Sequence, residues 1–366
     1  MDQRRYMLWL GFALPTAYKR QQALLEAYGG DAACLFTDAA NGRLPAAGKR
    51  EAAAYAELRQ KANEAYIDAC LEYLKKRRIA AVLPVDENYP ALLKEIYRPP
   101  TVLYVRGTLP KNLPLPIAMI GSRHCSDYGT QVALRLSEQL SGQGACVVSG
   151  LAYGIDCACA QGALYAAGSA FPTVAVLGSG VDVIYPQENH KIYQEICERG
   201  AVVSEFLPGT RPLASHFPQR NRIISGMSRG VVVIEASLRS GTSITVDCAL
   251  EQGRDVFALP GRVTDLMSEG TNKMIADGIA KPIFSAADIL EEYGVRPRRE
   301  APAKQVDETG LSFEQTLVVR LLRVCERSFD ELCEMTGLDV VKINYALTEL
   351  EFSGIIKQSS GRVYSL

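Results

Sequence analysis

Two stretches of the sequence, IAMIGSRH at residues 117–124 and ACVVSGLAYGID at residues 145–156, decide the fold. Each begins as a short apolar run and ends in glycine and serine, and a helical stretch lies between them. Strands that are apolar along their whole length and separated by helices are typical of a parallel sheet covered on both faces. The two stretches therefore predict neighbouring strands of a doubly wound α/β domain.

The same alternation continues along the chain. Further strands are predicted at residues 174–177, 202–204, 231–235 and 256–259, with helical stretches between most of them. A connecting region, residues 79–110, precedes them and carries a strand candidate at 102–105. The predicted fold class is α/β, with a doubly wound parallel sheet in a domain spanning residues 79–294.

Smaller segments flank this domain on both sides. Residues 1–78 have helical apolar spacing, and residues 295–310 are polar, contain proline and read as a linker. Residues 311–366 predict three helices and a hairpin that turns at residues 359–361, which together describe a winged helix. Ser328 and Glu331 fit a capping box at the start of the second of these helices.

Composition limits the function. The 366 residues suggest two or three domains, and a net charge of −1 excludes a polycation that coats nucleic acid by bulk charge. The ten cysteines form no CxxC pair, there are three histidines, and no signal segment or long apolar run is evident. We expect reduced thiols, no zinc site and no other cofactor, no membrane insertion and a cytoplasmic protein.

The predicted strand ends are rich in small and polar residues. Carboxyl ends of parallel strands meet at one edge of the sheet, where ligands bind. Small residues there let a ligand approach the backbone, and hydroxyl and amide groups can donate to phosphate oxygens. The candidate residues at this edge are Gly121, Ser122, Arg123, Ser149, Gly150, Gly154, Gly178, Gly180, Ser240, Gly241, Thr242, Asn272 and Lys273. Neither a Walker A motif nor GxGxxG after the first strand is present, which argues against a standard nucleotide cofactor.

A second candidate region spans residues 206–234, which contain four arginines and no acidic residue. Phe217 stands just before Arg220, Asn221 and Arg222. Arginines beside an aromatic suit single-stranded nucleic acid, because the arginines neutralise phosphates and the ring stacks on a base. The alternative is that Phe217-Pro218 caps the edge of the core.

Other polar residues allow two interpretations. Asp156 and Asp182 follow strands and could be active-site carboxylates, or could accept hydrogen bonds from loop N–H groups. The run Lys75-Lys76-Arg77-Arg78 could contact phosphates, although cations are also favoured at a helix C-terminus. No Ser/His/Asp or Cys/His arrangement is evident, so we do not expect an enzyme.

The order of these motifs resembles the DNA-processing protein A (DprA/Smf) family. The resemblance rests on Gly121-Ser122-Arg123, SGLAxGID at 149–156, GxGxD at 178–182, FPxRNRII at 217–224, Ser240-Gly241-Thr242 and Gly270-Thr271-Asn272. It extends upstream to Tyr89-Pro90 and Pro99-Pro100, and so spans nearly the whole chain. Many members carry a basic residue at the position of Gln187, and Lys191, one helical turn later, is the candidate replacement.

The resemblance implies an extended Rossmann-like domain that binds single-stranded DNA, an N-terminal domain of sterile-alpha-motif type and a C-terminal winged helix. It also implies homodimers, and loading of the RecA recombinase onto DNA during natural transformation. Arg123, Arg220 and Arg222 fall at positions of the family's DNA-binding arginines.

Two other functions remain open. One is a nucleotide-binding enzyme or sensor similar to the phosphoribohydrolases, although the loop at 240–246 lacks their glutamate. The other is a transcription factor that reads duplex DNA through the winged helix. Residues 311–366 carry six Lys and Arg against eight Asp and Glu, which favours protein contact over duplex binding.

Overall fold

The computed structural model describes residues 2–45, 51–296, 308, 310–323, 326–359 and 362–366. The chain divides into two compact units, Met1–Pro297 and Arg298–Leu366. Most of the predicted linker, and residues 360 and 361 of the predicted hairpin turn, lie outside the described residues. Within those ranges, no helix is both long and apolar enough to cross a membrane.

Five helices begin the first unit. They are α1 (Gln3–Ala13), α2 (Tyr18–Ala27), α3 (Ala32–Ala40), α4 (Ala52–Lys61) and α5 (Glu64–Lys76). Asp31 and Asn63 cap α3 and α5 by accepting hydrogen bonds from N–H groups of the first turn. These helices surround their own apolar cluster, in which Trp9 is fully buried.

A nine-stranded sheet forms the centre of this unit. Its strands are β1 (Ala80–Val82), β2 (Leu103–Gly107), β3 (Pro116–Ile120), β4 (Cys146–Ser149), β5 (Thr173–Val176), β6 (Ala201–Ser204), β7 (Gly230–Val233), β8 (Asp255–Ala258) and β9 (Lys281–Pro282). Their order across the sheet is β1-β2-β6-β5-β4-β3-β7-β8-β9. The strands β3 to β9 run parallel to one another, whereas β2 pairs antiparallel with both of its neighbours, β6 and β1.

Helices cover both faces of the sheet. They are α6 (Ala91–Lys94), α7 (Asp127–Gly142), α8 (Ile155–Tyr165), α9 (His190–Arg199), α10 (His216–Gly226), α11 (Thr242–Glu251), α12 (Glu269–Ala276) and α13 (Ala286–Glu292), and a 3₁₀ turn, Gln187–Asn189, precedes α9. In β3, Ala118 and Ile120 face one apolar cluster while Ile117 and Met119 face another. Burial on both faces explains why these strands are apolar throughout.

The structure confirms the predicted doubly wound α/β fold, but the strands at the edges of its sheet differ from the prediction. The sequence did not predict β1 or β9, and the connecting region 79–110 joins the sheet through the antiparallel strands β1 and β2. The linker also begins later than residue 295. Val295 packs against the core of the sheet, and its N–H donates to the Leu290 carbonyl over 2.9 Å.

The second unit is the predicted winged helix. It contains α14 (Phe313–Leu322), α15 (Phe329–Thr336) and α16 (Val340–Phe352), with β10 (Arg327–Ser328), β11 (Lys357–Ser359) and β12 (Val363–Ser365) in a three-stranded sheet. The predicted capping box is present, because the Ser328 hydroxyl accepts from the Glu331 N–H and the Glu331 side chain accepts from the Ser328 N–H. Val318, Leu332, Ile343 and Leu350 form its core.

Candidate nucleic-acid interface

An open cleft of about 620 Å³ lies beyond the carboxyl ends of the central strands. The loops that follow β3, β4 and β7 contribute to its walls, together with the first turns of α10 and α11. The chain order reverses between β3 and β7, and such a switch point is where doubly wound sheets bind ligands. We call this site the strand-end cleft; its polar and aromatic lining is Ser122, Arg123, His124, Asp156, Tyr185, Phe217, Arg220, Asn221, Ser237, Arg239, Ser240, Thr242 and Thr245.

Phe217 is the aromatic centre of the cleft. The Arg123 guanidinium lies 5.1 Å from the centre of the Phe217 ring, and the Tyr185 ring lies 5.7 Å away at an angle of 44°. Phe217 is partly exposed and Arg123 is exposed. Two accessible aromatic faces beside an exposed guanidinium provide stacking and phosphate neutralisation in one place.

Arg220 lies beneath this surface. It is 3% exposed, its guanidinium donates to the Gly150 carbonyl over 2.7 Å and to the Val176 carbonyl, and it lies beside Asp156. Burial lowers the pKa of Arg220 to about 10, partly offset by Asp156, so the side chain stays charged at neutral pH. Its predicted role as an exposed phosphate contact is therefore revised. It holds the ends of β4 and β5 together and contributes positive charge from below.

Asp156 is the buried acidic group whose charge acts on Arg220. Its carboxylate accepts from the Gly150 N–H over 3.1 Å and from the Ala152 N–H. Burial raises the pKa of Asp156, while Arg220 and these N–H donors oppose the rise. Asp182 likewise accepts from the Gly209 N–H over 2.6 Å. Of the two interpretations of these aspartates, hydrogen bonding within loops is the observed one.

Arg222 is placed away from the cleft, contrary to its grouping with Arg220. It pairs with Glu205 and donates to the Arg98 carbonyl over 2.7 Å. Residues two apart on a helix do not face the same side. Asn221, between them, does line the cleft, and its side-chain oxygen accepts from Arg220 over 3.2 Å.

Most of the predicted glycines are required by the packing of the protein and do not leave room for a ligand. A Cβ on Gly121 would press on Ile155, one on Gly150 on Arg220 and Asp156, and one on Gly180 on the Leu207 carbonyl. Gly178 lies 3.0 Å, measured from an ideal Cβ, from the Phe217 ring. Gly241 is different, because a Cβ there would meet open space in the cleft. Ser149 is fully buried and does not line the cleft.

Three further candidates lie outside the cleft lining. Asn272 holds the backbone of Gly261 with two hydrogen bonds of 3.1 Å, and Lys273 pairs with Asp277 over 2.8 Å. Lys191 is exposed on the first turn of α9. The sequence grouped these residues because they follow strands or motifs, but in the structure none of the three is among the residues that line the cleft.

The cleft includes two polar side chains that were not among the sequence-predicted DNA-binding residues. Arg239 is exposed at its rim, directly before Ser240-Gly241-Thr242, and His124 follows Arg123. The position of Arg239 next to a glycine loop was the available signal. Asp156 is the only carboxylate among the lining residues, all of which the structure describes, and it is buried against Arg220, so the accessible lining is cationic. The described residues contain no group of three or more His, Cys, Asp or Glu side chains able to hold a metal ion.

Fold and cleft together define a Rossmann-like domain with a cationic, aromatic strand-end site, joined to a winged helix. The family model for DNA recombination-mediator protein A matches residues 80–294, and the model for the DprA winged helix domain matches residues 301–362. The chain therefore belongs to the DprA/Smf family, as its motifs indicated.

Individual relatives agree with this assignment. The chain is 43% identical to the DNA processing protein DprA of Streptococcus pneumoniae over 209 residues, which covers 57% of this chain and 72% of that protein. It is 37% identical to protein Smf of Escherichia coli over 289 residues, 76% of each.

Two solved structures are similar. An X-ray structure of DNA processing protein A from Streptococcus pneumoniae matches with a TM-score of 0.68 and 36% identity, covering 80% of this chain and 99% of that one. A structure of DNA processing protein A from Helicobacter pylori, described for its single-stranded DNA binding mode, matches with a TM-score of 0.52 and 30% identity, covering 59% and 95%.

Proposed function

We propose that the protein binds single-stranded DNA in the strand-end cleft and loads the RecA recombinase onto that DNA in recombination and natural transformation. The observation that carries the first part is the Arg123–Phe217–Tyr185 cluster at the mouth of a cationic cleft. Unpaired bases can stack on Phe217 and Tyr185, which the stacked bases of a duplex cannot do without opening. The Helicobacter pylori relative, described for binding single-stranded DNA, supports the assignment.

We propose two roles for the sequence-predicted DNA-binding residues. Arg123, Phe217, Asn221, Ser240, Gly241 and Thr242 contact the strand directly, with Arg239 added to them. Arg220 and the glycines at 121, 150, 154, 178 and 180 shape the site from below. The domain boundaries, the homodimer, a cytoplasmic location and the sterile-alpha-motif type of the N-terminal helices stay predictions.

The RecA step can be measured directly. Single-stranded DNA coated with single-strand-binding protein delays the DNA-dependent ATPase of RecA. We expect this protein to shorten the delay, and Arg123→Ala to shorten it much less, because a loader must hold the strand. A delay unchanged by the wild-type protein would refute loading and leave DNA binding intact as a separate claim.

A nucleotide-hydrolysing enzyme is the alternative for the same cleft. Asp156 is the only carboxylate among the described lining residues; it is buried and accepts hydrogen bonds from two N–H groups, so it is not free to activate water. We therefore infer a binding site without hydrolytic chemistry. Release of adenine from adenosine monophosphate by the purified protein, lost in Asp156→Asn, would favour the enzyme instead.

For the winged helix we propose contact with a protein. The second helix of its helix pair, α16, exposes Val341 and Tyr345, and its N-cap is Asp339. An apolar exposed surface with an acidic start is poorly suited to phosphates.

A further inference from the structure

A second cationic site lies on the first unit, apart from the strand-end cleft. Lys76, Arg77, Arg78 and Arg106 line an open groove of about 300 Å³ together with Asp182, and we call it the basic groove. Three of its cations come from the end of α5 and the fourth from β2. The described residues lining the strand-end cleft include none of these.

The carboxylates near the groove do not neutralise all of its cations. Asp182 already accepts from the Tyr73 hydroxyl over 3.1 Å and from the Gly209 N–H, and it pairs with Arg77 over 3.4 Å. Glu72 pairs with Lys76 over 2.9 Å. Across the described residues, neither Arg78 nor Arg106 has an ion pair within 4 Å.

Arg106 is held in place for a ligand. Its guanidinium donates to the Tyr193 hydroxyl over 3.1 Å, and Tyr193 in turn donates to the Val181 carbonyl. A guanidinium has five N–H donors, so most remain available to phosphate oxygens. Cations at a helix C-terminus are favoured by the helix dipole, which accounts for Lys75 and Lys76 but not for an arginine on a strand.

Arg78 occupies a backbone position that normally belongs to glycine. It closes α5 with φ +54°, the Arg78 N–H donating to the Lys75 carbonyl and the Ile79 N–H to the Leu74 carbonyl. The same closure ends α2, α3, α7, α11, α12, α13 and α16, where the left-handed residue is Gly29, Gly42, Gly144, Gly253, Gly278, Gly294 and Gly354. A strained non-glycine residue that persists in such a position points to a role for its side chain.

We propose that the basic groove binds a run of phosphate groups, and that these belong to a DNA strand extending beyond the strand-end cleft. The segment that follows β5 connects the two sites, since Asp182 lines the groove and Tyr185 lines the cleft. This proposal rests on the proposed function for the source of the phosphates. The same chemistry would also accept a free polyphosphate.

The test uses Arg78→Gly, which removes the charge and supplies the residue that this backbone favours. We expect its melting temperature to equal or exceed that of the wild type. Arg106→Gln removes the second cation. Arg135→Gln is the matched control, because Arg135 is exposed on α7 and lines neither site. The probes are thymidine oligonucleotides of about 6 and about 20 residues, chosen against single-strand sites of ~4–16 nucleotides, and inorganic tripolyphosphate.

With the long oligonucleotide, we expect Arg78→Gly to weaken binding about fivefold at about 0.1 M salt and to flatten the log–log salt slope by about 0.7, the effect of one lost phosphate contact. Binding of the short one should not change. Loss of tripolyphosphate binding with both oligonucleotides unaffected would support the site and assign it to free polyphosphates. Wild-type affinity of Arg78→Gly and Arg106→Gln for all three probes would overturn the proposal. Failure of the wild type to bind either oligonucleotide would refute the proposed function. Whether the basic groove binds phosphates at all would then be tested by tripolyphosphate binding to the wild type and to the two variants.

Discussion

Arg123 is the side chain on which the proposed binding depends most. It is exposed beside Phe217 and has no carboxylate within 4 Å among the described residues, so its charge is available to phosphate. We predict that Arg123→Ala weakens single-strand binding and flattens the log–log salt slope by about 0.7, without changing base preference. Fluorescence anisotropy across a salt series measures both. Arg135→Ala is the control, and an Arg123→Ala variant with wild-type affinity and slope would remove Arg123 from the site.

Arg220 and Asp156 should behave as one buried unit. Removing one of the two side chains leaves the other charge buried and uncompensated, which lowers the free energy of unfolding by about 3–5 kcal/mol. We predict that Asp156→Asn and Arg220→Met each lower the free energy of unfolding strongly, and that the double variant loses clearly less than the sum. Urea unfolding followed by circular dichroism measures the free energy of unfolding of the wild type, the two single variants and the double variant. Additive losses would show that the two side chains act independently.

At this scale the sequence predicted the kind of residue better than its place. The acid-free stretch at 206–234 does supply Phe217, Arg220 and Asn221 to the cleft. It could not show that Arg220 is buried under β4 and β5 or that Arg222 pairs with Glu205, because partners distant in sequence decide both.

At the scale of elements, prediction succeeded where the physical signal was strong. The strands β3 to β8 are buried on both faces, so each appears as an uninterrupted apolar run in the sequence. The strand β9 has only two residues, Lys281 and Pro282, and carries no such run. The strand β1 lies in an apolar run, residues 79–83, but has three residues of which only Val82 is buried, so its pairing with β2 in the folded chain is what reveals it. The glycine loops were recognised, but the reason for their glycines was not, because the atoms that crowd them come from other elements.

Two glycines of these loops should respond differently to the same change. Gly154 begins α8 with φ +72°, and a Cβ there would press on the Ser122 carbonyl, whereas Gly241 begins α11 with φ −61° and open space. We predict that Gly154→Ala lowers stability by about 1–3 kcal/mol, and that Gly241→Ala stays within about 0.5 kcal/mol of the wild type. Thermal melting compares the two. Equal melting temperatures would contradict the packing described here.

At the scale of the whole molecule, the first unit contains both proposed DNA sites. We predict that a chain ending at residue 296 folds and keeps most of its single-strand binding, because the winged helix is net acidic and Val295 stays in the core. Light scattering and anisotropy on the same sample separate two causes of weaker binding. Fewer subunits per particle than in the full-length protein, with weaker binding, would indicate lost avidity of a dimer. An unchanged number of subunits with binding abolished would place the main site in the winged helix.

The central claim is that the strand-end cleft selects single strands by stacking their bases on Phe217 and Tyr185. The most direct measurement is an anisotropy titration of the wild-type protein with single- and double-stranded DNA of equal length at the same salt. We predict tighter binding of the single strand by at least about tenfold, since each stacked base contributes ~1–3 kcal/mol and 1.4 kcal/mol is a factor of ten. Equal or tighter binding of the duplex would contradict the claim.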